Sequence, residues 1–384
     1  MNITTDIKYV GVNHRDIKLF EAQYSVARGM CYNSYVIMDE KIAVMDSVEA
    51  SFGDEWLANI TAASEGASPD YLVVPHMEPE HSANIARFAE KFPEAIIVSS
   101  AKAFAMMKNF FGTDYAERRI VVGEGDTLTL GKHSLTFYTA PMVHWPEVIV
   151  SYDSCDKVLF SADGFGKFGT YDADEPWCDE ARRYYIGIVG KYGAQVQALL
   201  KKAAALDISI ICPLHGPVLS ENLSYYIGLY DTWSSYRPES EGVAIVCSSI
   251  YGNTKKAAVE LSEMLEEQGI AAPVYDITTC DMAEAVAAAF RYDRLVLASS
   301  TYNAEIFPPM REFIAKLLER GFNSRFVALI ENGSWAPMAA KVMRGKLEGA
   351  KNVTFAQTAV KINSALNEES RAALRALSSE LAAK

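Results

Sequence analysis

Four of the six histidines in this 384-residue chain stand at or just after short apolar runs, and acids accompany them. Tyr71-Leu-Val-Val-Pro75 leads into His76-Met77-Glu78-Pro79-Glu80-His81. Leu135-Thr-Phe-Tyr138 is followed, after a short turn, by His144-Trp-Pro146. Val158-Leu-Phe160 runs into Ser161-Ala-Asp163. Ile208-Ser-Ile-Ile211 runs into Cys212-Pro-Leu-His215-Gly-Pro217. Loops at strand ends let a rigid sheet aim several side chains at one point. The candidate set is His76, Glu78, Glu80, His81, His144, Asp163 and His215: four imidazoles, three carboxylates and no thiolate. Thiolate-rich sets select zinc or iron–sulfur clusters, whereas imidazole with carboxylate and open positions suits redox-active iron or manganese. Seven donors exceed one tetrahedral zinc and fit two metals that share a carboxylate. A lone histidine is more often structural, but two histidines and two acids within six residues serve no obvious core purpose. His14 and His133 lack such company and read as ordinary surface or packing residues.

A second constellation follows the apolar run Val243-Ala-Ile-Val-Cys247. Ser248, Ser249, Ile250, Tyr251, Gly252, Asn253 and Thr254 lie between that strand and a helical pattern that sets Ala257, Ala258, Leu261, Met264 and Leu265 on one face. Small and hydroxyl residues there let backbone N–H groups wrap a phosphate, with the helix N-terminus adding partial positive charge. No Gly-Lys-Ser/Thr ending occurs, so this is not a nucleoside triphosphate loop. The alternative is a plain turn with a capped helix. Two further loops follow strands. Ser299-Ser300-Thr301-Tyr302-Asn303 comes after Leu295–Ala298, and Glu331-Asn332-Gly333-Ser334-Trp335 after Phe326–Ile330. Ligands of open α/β sheets bind beyond the carboxyl ends of the strands. Tyr302 and Trp335 offer flat apolar faces for a ring system; for Trp335 the alternative is simple packing.

The elements that must position these groups fall into two domains, 1–236 and 242–384. The polar stretch Ser234–Gly242, with its Pro and Gly, reads as a linker. After it, strands alternate with helices, which implies a doubly wound parallel sheet. Before it, short extended runs such as Tyr35–Met38 and Ile42–Met45 mix with helices, an α+β layer arrangement. There is no repeat and no low-complexity tract.

Bulk properties exclude several classes. Lys and Arg number 36 against 49 Asp and Glu, a net charge of −13 that speaks against a nucleic-acid surface. No apolar run reaches a membrane span of about 18 residues. The N-terminus has neither the basic start nor the apolar stretch of a signal peptide, so the expected location is cytoplasmic. The six cysteines are scattered without a CxxC pair and read as ordinary buried thiols.

The order HxExEH, HWP, SxD, HGP resembles the flavodiiron branch of the metallo-β-lactamase superfamily. Gly29-Met-Cys-Tyr-Asn-Ser-Tyr35 and Leu159–Gly166 resemble further family segments, and the three loops of the second domain resemble the FMN loops of flavodoxins. The resemblance covers about residues 5 to 370. It implies a metallo-β-lactamase-like αββα sandwich followed by a flavodoxin-like doubly wound parallel sheet. It implies one iron held by His76, Glu78 and His144, a second held by Glu80, His81 and His215, and Asp163 bridging the two. Hydrolytic relatives carry HxHxDH, and Glu78 in place of their second histidine accompanies iron rather than zinc. Glu80 departs from the family's usual Asp by one methylene. The third flavin loop is looser than the family's GSxGW pattern. Arg182-Arg-Tyr-Tyr-Ile-Gly187 resembles a family segment that usually ends in Ala-Asn; one of its tyrosines, with Tyr185 the candidate, either donates a hydrogen bond near the irons or packs in the interior.

The implied reaction is reduction of O2 to water or of NO to N2O, with O2 favoured. Two ferrous ions and reduced FMN together hold four electrons, enough to take O2 to two waters. The implied assembly is a head-to-tail homodimer in which one subunit's FMN faces the other's irons. The implied electron donor is a separate rubredoxin or a flavin, NAD(P)H or deazaflavin-linked reductase. Two rivals stand: a zinc hydrolase fused to a flavodoxin, and an FMN electron carrier whose first domain is scaffold.

Overall fold

The computed structural model describes residues 1–384. The chain divides into two compact units: Met1–Tyr185 with Ala194–Asp231, and Ile186–Gly193 with Thr232–Lys384.

The first unit is built on two sheets of short strands. One holds six strands in the order Ile7–Tyr9, Tyr35–Ile37, Ala43–Met45, Tyr71–Val73, Ile96–Ser99 and Arg119–Val121. The other holds five, in the order Thr127–Thr129, Ser134–Thr139, Ile149–Asp153, Val158–Phe160 and Ile210–Cys212. Alternate residues of both sheets, among them Ile37, Met45, Val73, Val98, Leu135, Phe137, Ile149 and Phe160, form one buried cluster. The two sheets therefore bury their apolar faces against each other. The strands Tyr35–Ile37 and Ala43–Met45 are buried along their whole length, so their outer sides are covered as well. Helix Gly53–Ala63 supplies part of that cover and packs Trp56 on Phe88 of helix Ile85–Lys91 at 5.8 Å between rings.

This arrangement aims the chemistry. Strand Tyr71–Val73 runs parallel to both neighbours, and Val158–Phe160 runs parallel to Ile210–Cys212. Their carboxyl ends carry the His76–His81 segment, Asp163 and His215. The apolar runs marked in the sequence are thus strands, with ends shifted by a residue or two.

The second unit is a parallel sheet in the order Val274–Asp276, Ser240–Ser248, Tyr292–Tyr302, Phe326–Asn332 and Thr354–Phe355, with Val360–Ile362 also paired to Phe326–Asn332. Helices Asn253–Glu266 and Glu368–Ala382 pack together over one face of it. Leu261 and Leu265 of the first and Leu374, Leu377 and Leu381 of the second share a core with Val243, Ile245 and Cys247. The last helix is fixed at its start by a reciprocal cap between Asn367 and Ser370. Arg371 then grips Glu260 with two bonds of 3.0 and 3.2 Å.

The first strand begins before its apolar run. Ser240 pairs with Tyr292, the register shifts, and pairing resumes at Val243 with Arg294. The shift is possible because Gly242 sits at φ +146°, where a Cβ would meet the Tyr292 ring at 2.7 Å and the Ala271 carbonyl at 2.9 Å. Gly242→Ala is expected to destabilise the second unit by roughly 1–3 kcal/mol. A lowered urea midpoint checks this, and an unchanged midpoint would show that the bulge tolerates a side chain.

Candidate functional site

The four histidines and three carboxylates converge in the first unit as two adjoining groups. His76, Glu78, His144 and Asp163 form one, and Glu80, His81 and His215 the other; within each group the ligand atoms all lie within 4.8 Å of one another. Asp163 joins them through its two oxygens. Its Oδ2 lies 3.3 Å from His76 Nε2 and 3.2 Å from His144 Nε2. Its Oδ1 lies 3.5 Å from His81 Nε2 and 3.8 Å from His215 Nε2. Glu78 Oε2 reaches His144 Nε2 at 3.0 Å and His76 Nε2 at 3.4 Å. Glu80 Oε1 reaches His215 Nε2 at 3.1 Å and His81 Nε2 at 3.3 Å. The longer Glu80 therefore still arrives at its group. Asp163, His76, His81 and His215 are buried, whereas Glu78, Glu80 and His144 remain partly accessible and mark the open side.

Three histidines are turned by acceptors behind them. His76 Nδ1 faces Glu147 Oε1 at 2.8 Å, His81 Nδ1 faces Asp46 Oδ2 at 2.7 Å, and His215 Nδ1 faces the Cys31 carbonyl at 2.7 Å. Each rear acceptor calls for a proton on Nδ1. In the neutral ring that leaves a lone pair on Nε2, pointing into the cluster. Nε2 of His76 and of His81 and Oδ1 of Asp163 are buried without a hydrogen-bond partner. The cluster is thus a set of lone pairs facing one another, which only protons or cations can reconcile. Without a metal, protons must do it. Burial depresses the His76 and His144 pKa values, but Asp163, Glu147 and Glu78 outweigh it, raising His76 to about 8 and His144 to about 10. Burial likewise works against the Glu78 carboxylate, yet the hydrogen bond with His144 and the nearby His76 ring hold it down at about 2. Two cations, one on each side of Asp163, satisfy the same lone pairs, so the donor set fits two metals.

The loops are locked by the segment before the second strand of the six-stranded sheet. Asn33 Nδ2 donates to the carbonyls of Pro213 and Gly216 at 2.9 and 2.8 Å, and the Tyr35 hydroxyl donates to the Pro213 carbonyl at 2.7 Å. Ser34 Oγ donates to the carbonyl of Asp46, the residue behind His81, at 3.0 Å. Gly216 follows His215 at φ +79°, where a Cβ would strike Lys167 at 2.6 Å. The rings of Phe20, Tyr32 and Tyr184 surround His215 at 5.7, 5.9 and 5.6 Å.

In the second unit the three loops meet at the carboxyl end of the sheet. Helix Asn253–Glu266 starts on Gly252 at φ +92°, with no side chain capping its amides. That leaves orphan N–H groups beside hydroxyls. Ser248 Oγ and Ser299 Oγ are 3.0 Å apart, Thr254 Oγ1 and Ser300 Oγ also 3.0 Å, and Asn332 Nδ2 donates to Thr254 Oγ1 at 3.3 Å. Ser249 Oγ accepts from the Gly252 amide at 3.1 Å, and Thr301 Oγ1 accepts from the amides of Met338 and Ala339 at 3.0 and 3.2 Å. A cleft of about 290 Å³ opens between the second and third loops, lined by Thr301, Asn303, Gly333, Ser334, Trp335 and Met338 among others. Trp335 is 83% exposed, Tyr302 44% and Tyr251 93%. Aromatics left this far in water gain by stacking on a flat ring. Ile250 is also exposed. Asn303 and Ala304 form a two-residue hairpin loop at φ +50° and +58°, and Glu305 pairs back on Tyr302. An uncapped helix start, a hydroxyl cluster and exposed rings fit a phosphorylated flat ring system such as FMN.

Comparison with known proteins agrees with both halves. Residues 30–216 match the family of ODP beta lactamases, and residues 245–374 match flavodoxin. A nitric oxide reductase of Moorella thermoacetica is 26% identical, over 91% of this chain and 90% of that one. The fold superposes on the rubredoxin oxygen:oxidoreductase of Desulfovibrio gigas with a TM-score of 0.92 at 24% identity, covering 100% of this chain and 98% of that one. It superposes on the flavodiiron protein of Giardia intestinalis with a TM-score of 0.87 at 25% identity, covering 99% of this chain and 96% of that one. The chain belongs to the flavodiiron protein family.

Three features of this flavodiiron protein were not expected from its sequence. Asp46 and Glu147 stand behind the histidines; the only signals were an Asp directly after the strand Ala43–Met45 and a Glu directly after the HWP triplet. Of the adjacent tyrosines, Tyr184 is the one whose ring lies against His215, while the ring of Tyr185, the expected candidate, packs edge-on to Tyr230 at 5.0 Å. His133, expected as ordinary packing, is buried between Asp153 at 3.1 Å and Asp6 at 3.4 Å. Glu147→Gln keeps the shape but removes the carboxylate that turns His76. It is expected to weaken metal binding about 10- to 100-fold. Titration of the metal-free protein with ferrous ion measures this, and undiminished affinity would make Glu147 a packing residue only.

Proposed function

We propose that this chain reduces O2 to water or NO to N2O, with O2 the preferred gas, at a two-iron site fed by FMN. The observation that carries the reading is the division of seven donors into two groups by the two oxygens of Asp163. His76, Glu78 and His144 would hold one iron, Glu80, His81 and His215 the other, and Asp163 would bridge them. When bound, the irons and the reduced flavin supply the electrons and an open coordination position for the gas. The chain's own residues supply the setting. Four imidazoles and three carboxylates offset much of the cation charge, so a change of oxidation state needs little solvent rearrangement. Glu147, Asp46 and the Cys31 carbonyl keep three Nε2 lone pairs on target. Tyr184, pushed well above the usual phenol range by burial and then by Asp163, keeps its proton beside His215. It would share with Tyr185 the candidacy for a hydrogen bond near the irons.

FMN would sit on the loops Ser248–Thr254, Ser300–Asn303 and Asn332–Trp335, its phosphate at the uncapped helix start and its ring by Tyr302 and Trp335. The domain junction would fall just before the strand Ser240–Ser248, which takes up the last residues of the expected linker. No helix is long and apolar enough to cross a membrane, and the protein would work in the cytoplasm. Its donor would be a separate rubredoxin or reductase. The working unit would be a head-to-tail homodimer with the partner's flavin facing the irons. Sedimentation should then give twice the chain mass of 42.3 kDa, and a monomer that turns over at full rate would remove the dimer from the account.

His144→Ala separates the readings. Reduction of bound FMN by a donor is expected to persist while O2 and NO consumption falls at least about 100-fold, followed in a gas-electrode chamber. Unchanged consumption would favour a flavin carrier, and zinc with thiolester hydrolysis in the wild type would favour the hydrolase.

A further inference from the structure

The first unit holds an apolar cavity that no ligand group lines. Its volume is about 30 Å³. A water needs about 10–15 Å³ on the same measure, so the space suits one diatomic molecule. Its inner wall is made by Val143, Leu159, Gly164, Phe165 and Tyr230. Val143 directly precedes His144, and Gly164 directly follows Asp163, so the inner end lies one residue from two proposed ligands on different loops. The outer end is formed by helix Gly193–Ala203 and the turn after it. There Val196 is buried, and Leu199, Leu200 and Leu206 are half-buried. The cavity is therefore lined both by the helix Gly193–Ala203 and by residues next in the chain to two proposed ligands.

Three of its polar side chains are already engaged. Ser161 Oγ donates to the Gly164 carbonyl at 2.6 Å, the Tyr230 hydroxyl accepts from the Phe165 amide at 2.6 Å, and Lys202 Nζ turns to Glu124 at 2.8 Å and the Thr139 carbonyl at 2.9 Å. A water entering here would find few of the two to four partners it requires, and such cavities stay dry and take up xenon. O2 and NO are uncharged and weakly hydrated, so they leave water for an apolar wall at little cost. We infer that this cavity is a holding site for the apolar diatomic substrate, delivering it from the flank of helix Gly193–Ala203 to the metal loops between His144 and Asp163. The inference rests on the proposed gas reduction and adds the route.

Two measurements test it together. Crystals of the full chain are pressurised with xenon, which reads the cavity without turnover. Val196→Phe, which fills the space from a residue outside the metal and flavin sites, is assayed with iron and FMN quantified. Leu206→Trp fills it from the outer end should Val196→Phe fail to fold. Xenon is expected between Val143, Phe165 and Val196 in the wild type and absent from the filled variant. The filled variant is expected to lose about fivefold in kcat/KM for the gas while keeping kcat at saturation. An empty cavity under xenon, or a filled variant with unchanged kcat/KM, overturns the inference while leaving gas reduction in place. A fully loaded wild type that consumes neither gas overturns the functional reading itself, and the route with it.

Discussion

The structure of the first unit turns on one electrostatic problem: lone pairs of four imidazoles and three carboxylates point at one another in a largely buried space. The Asp163 oxygens lie between 3.2 and 3.8 Å from four Nε2 atoms. Because Glu147, Asp46 and the Cys31 carbonyl hold the opposite ring nitrogens, the histidines cannot rotate away to relieve the crowding. A cation on each side of Asp163 converts the repulsion into coordination. The surrounding architecture serves to hold this otherwise unfavourable arrangement: parallel strand ends, Asn33 and Tyr35 clamping the His215 loop, and aromatic rings around it.

Backbone conformation reflects the same demand. Asp46, Met142 and Ala162, each beside or close before a ligand or its support, take left-handed φ values of +65°, +65° and +50°. Such residues cost on the order of 1–3 kcal/mol each and persist where surrounding contacts dictate them. The flavin side uses different physics. There the helix start at Gly252 is left uncapped and aromatic rings are left exposed, so a ligand completes what the fold leaves open.

Much of this was legible in the sequence because strand-end position and residue type reinforce each other. His76, His81, His144, Asp163 and His215 each follow an apolar run, and the run becomes a strand whose end fixes where the side chain goes. Asp46 and Glu147 were silent: one acid beside a strand or after a tryptophan–proline pair has no periodicity to mark it, and its role appears only when a distant histidine arrives. Which of Tyr184 and Tyr185 lies against His215 was hidden for a geometric reason. An α-helix over Trp177–Tyr184 passes into a π-helical turn over Tyr185–Val189. The wider turn breaks the regular 3.6-residue spacing from which a facing side would be read. The early start of strand Ser240–Ser248 was hidden because polar Ser240 and Glu241 and bulged Gly242 resemble a linker until pairing with Tyr292 is seen.

The most direct test of the central claim is anomalous diffraction at the iron edge from crystals of the protein loaded with ferrous ion without oxygen. Two iron peaks, one on each side of the Asp163 carboxylate, are expected. A single peak, or one zinc bound by part of the set with the remaining side chains turned away, would contradict the account.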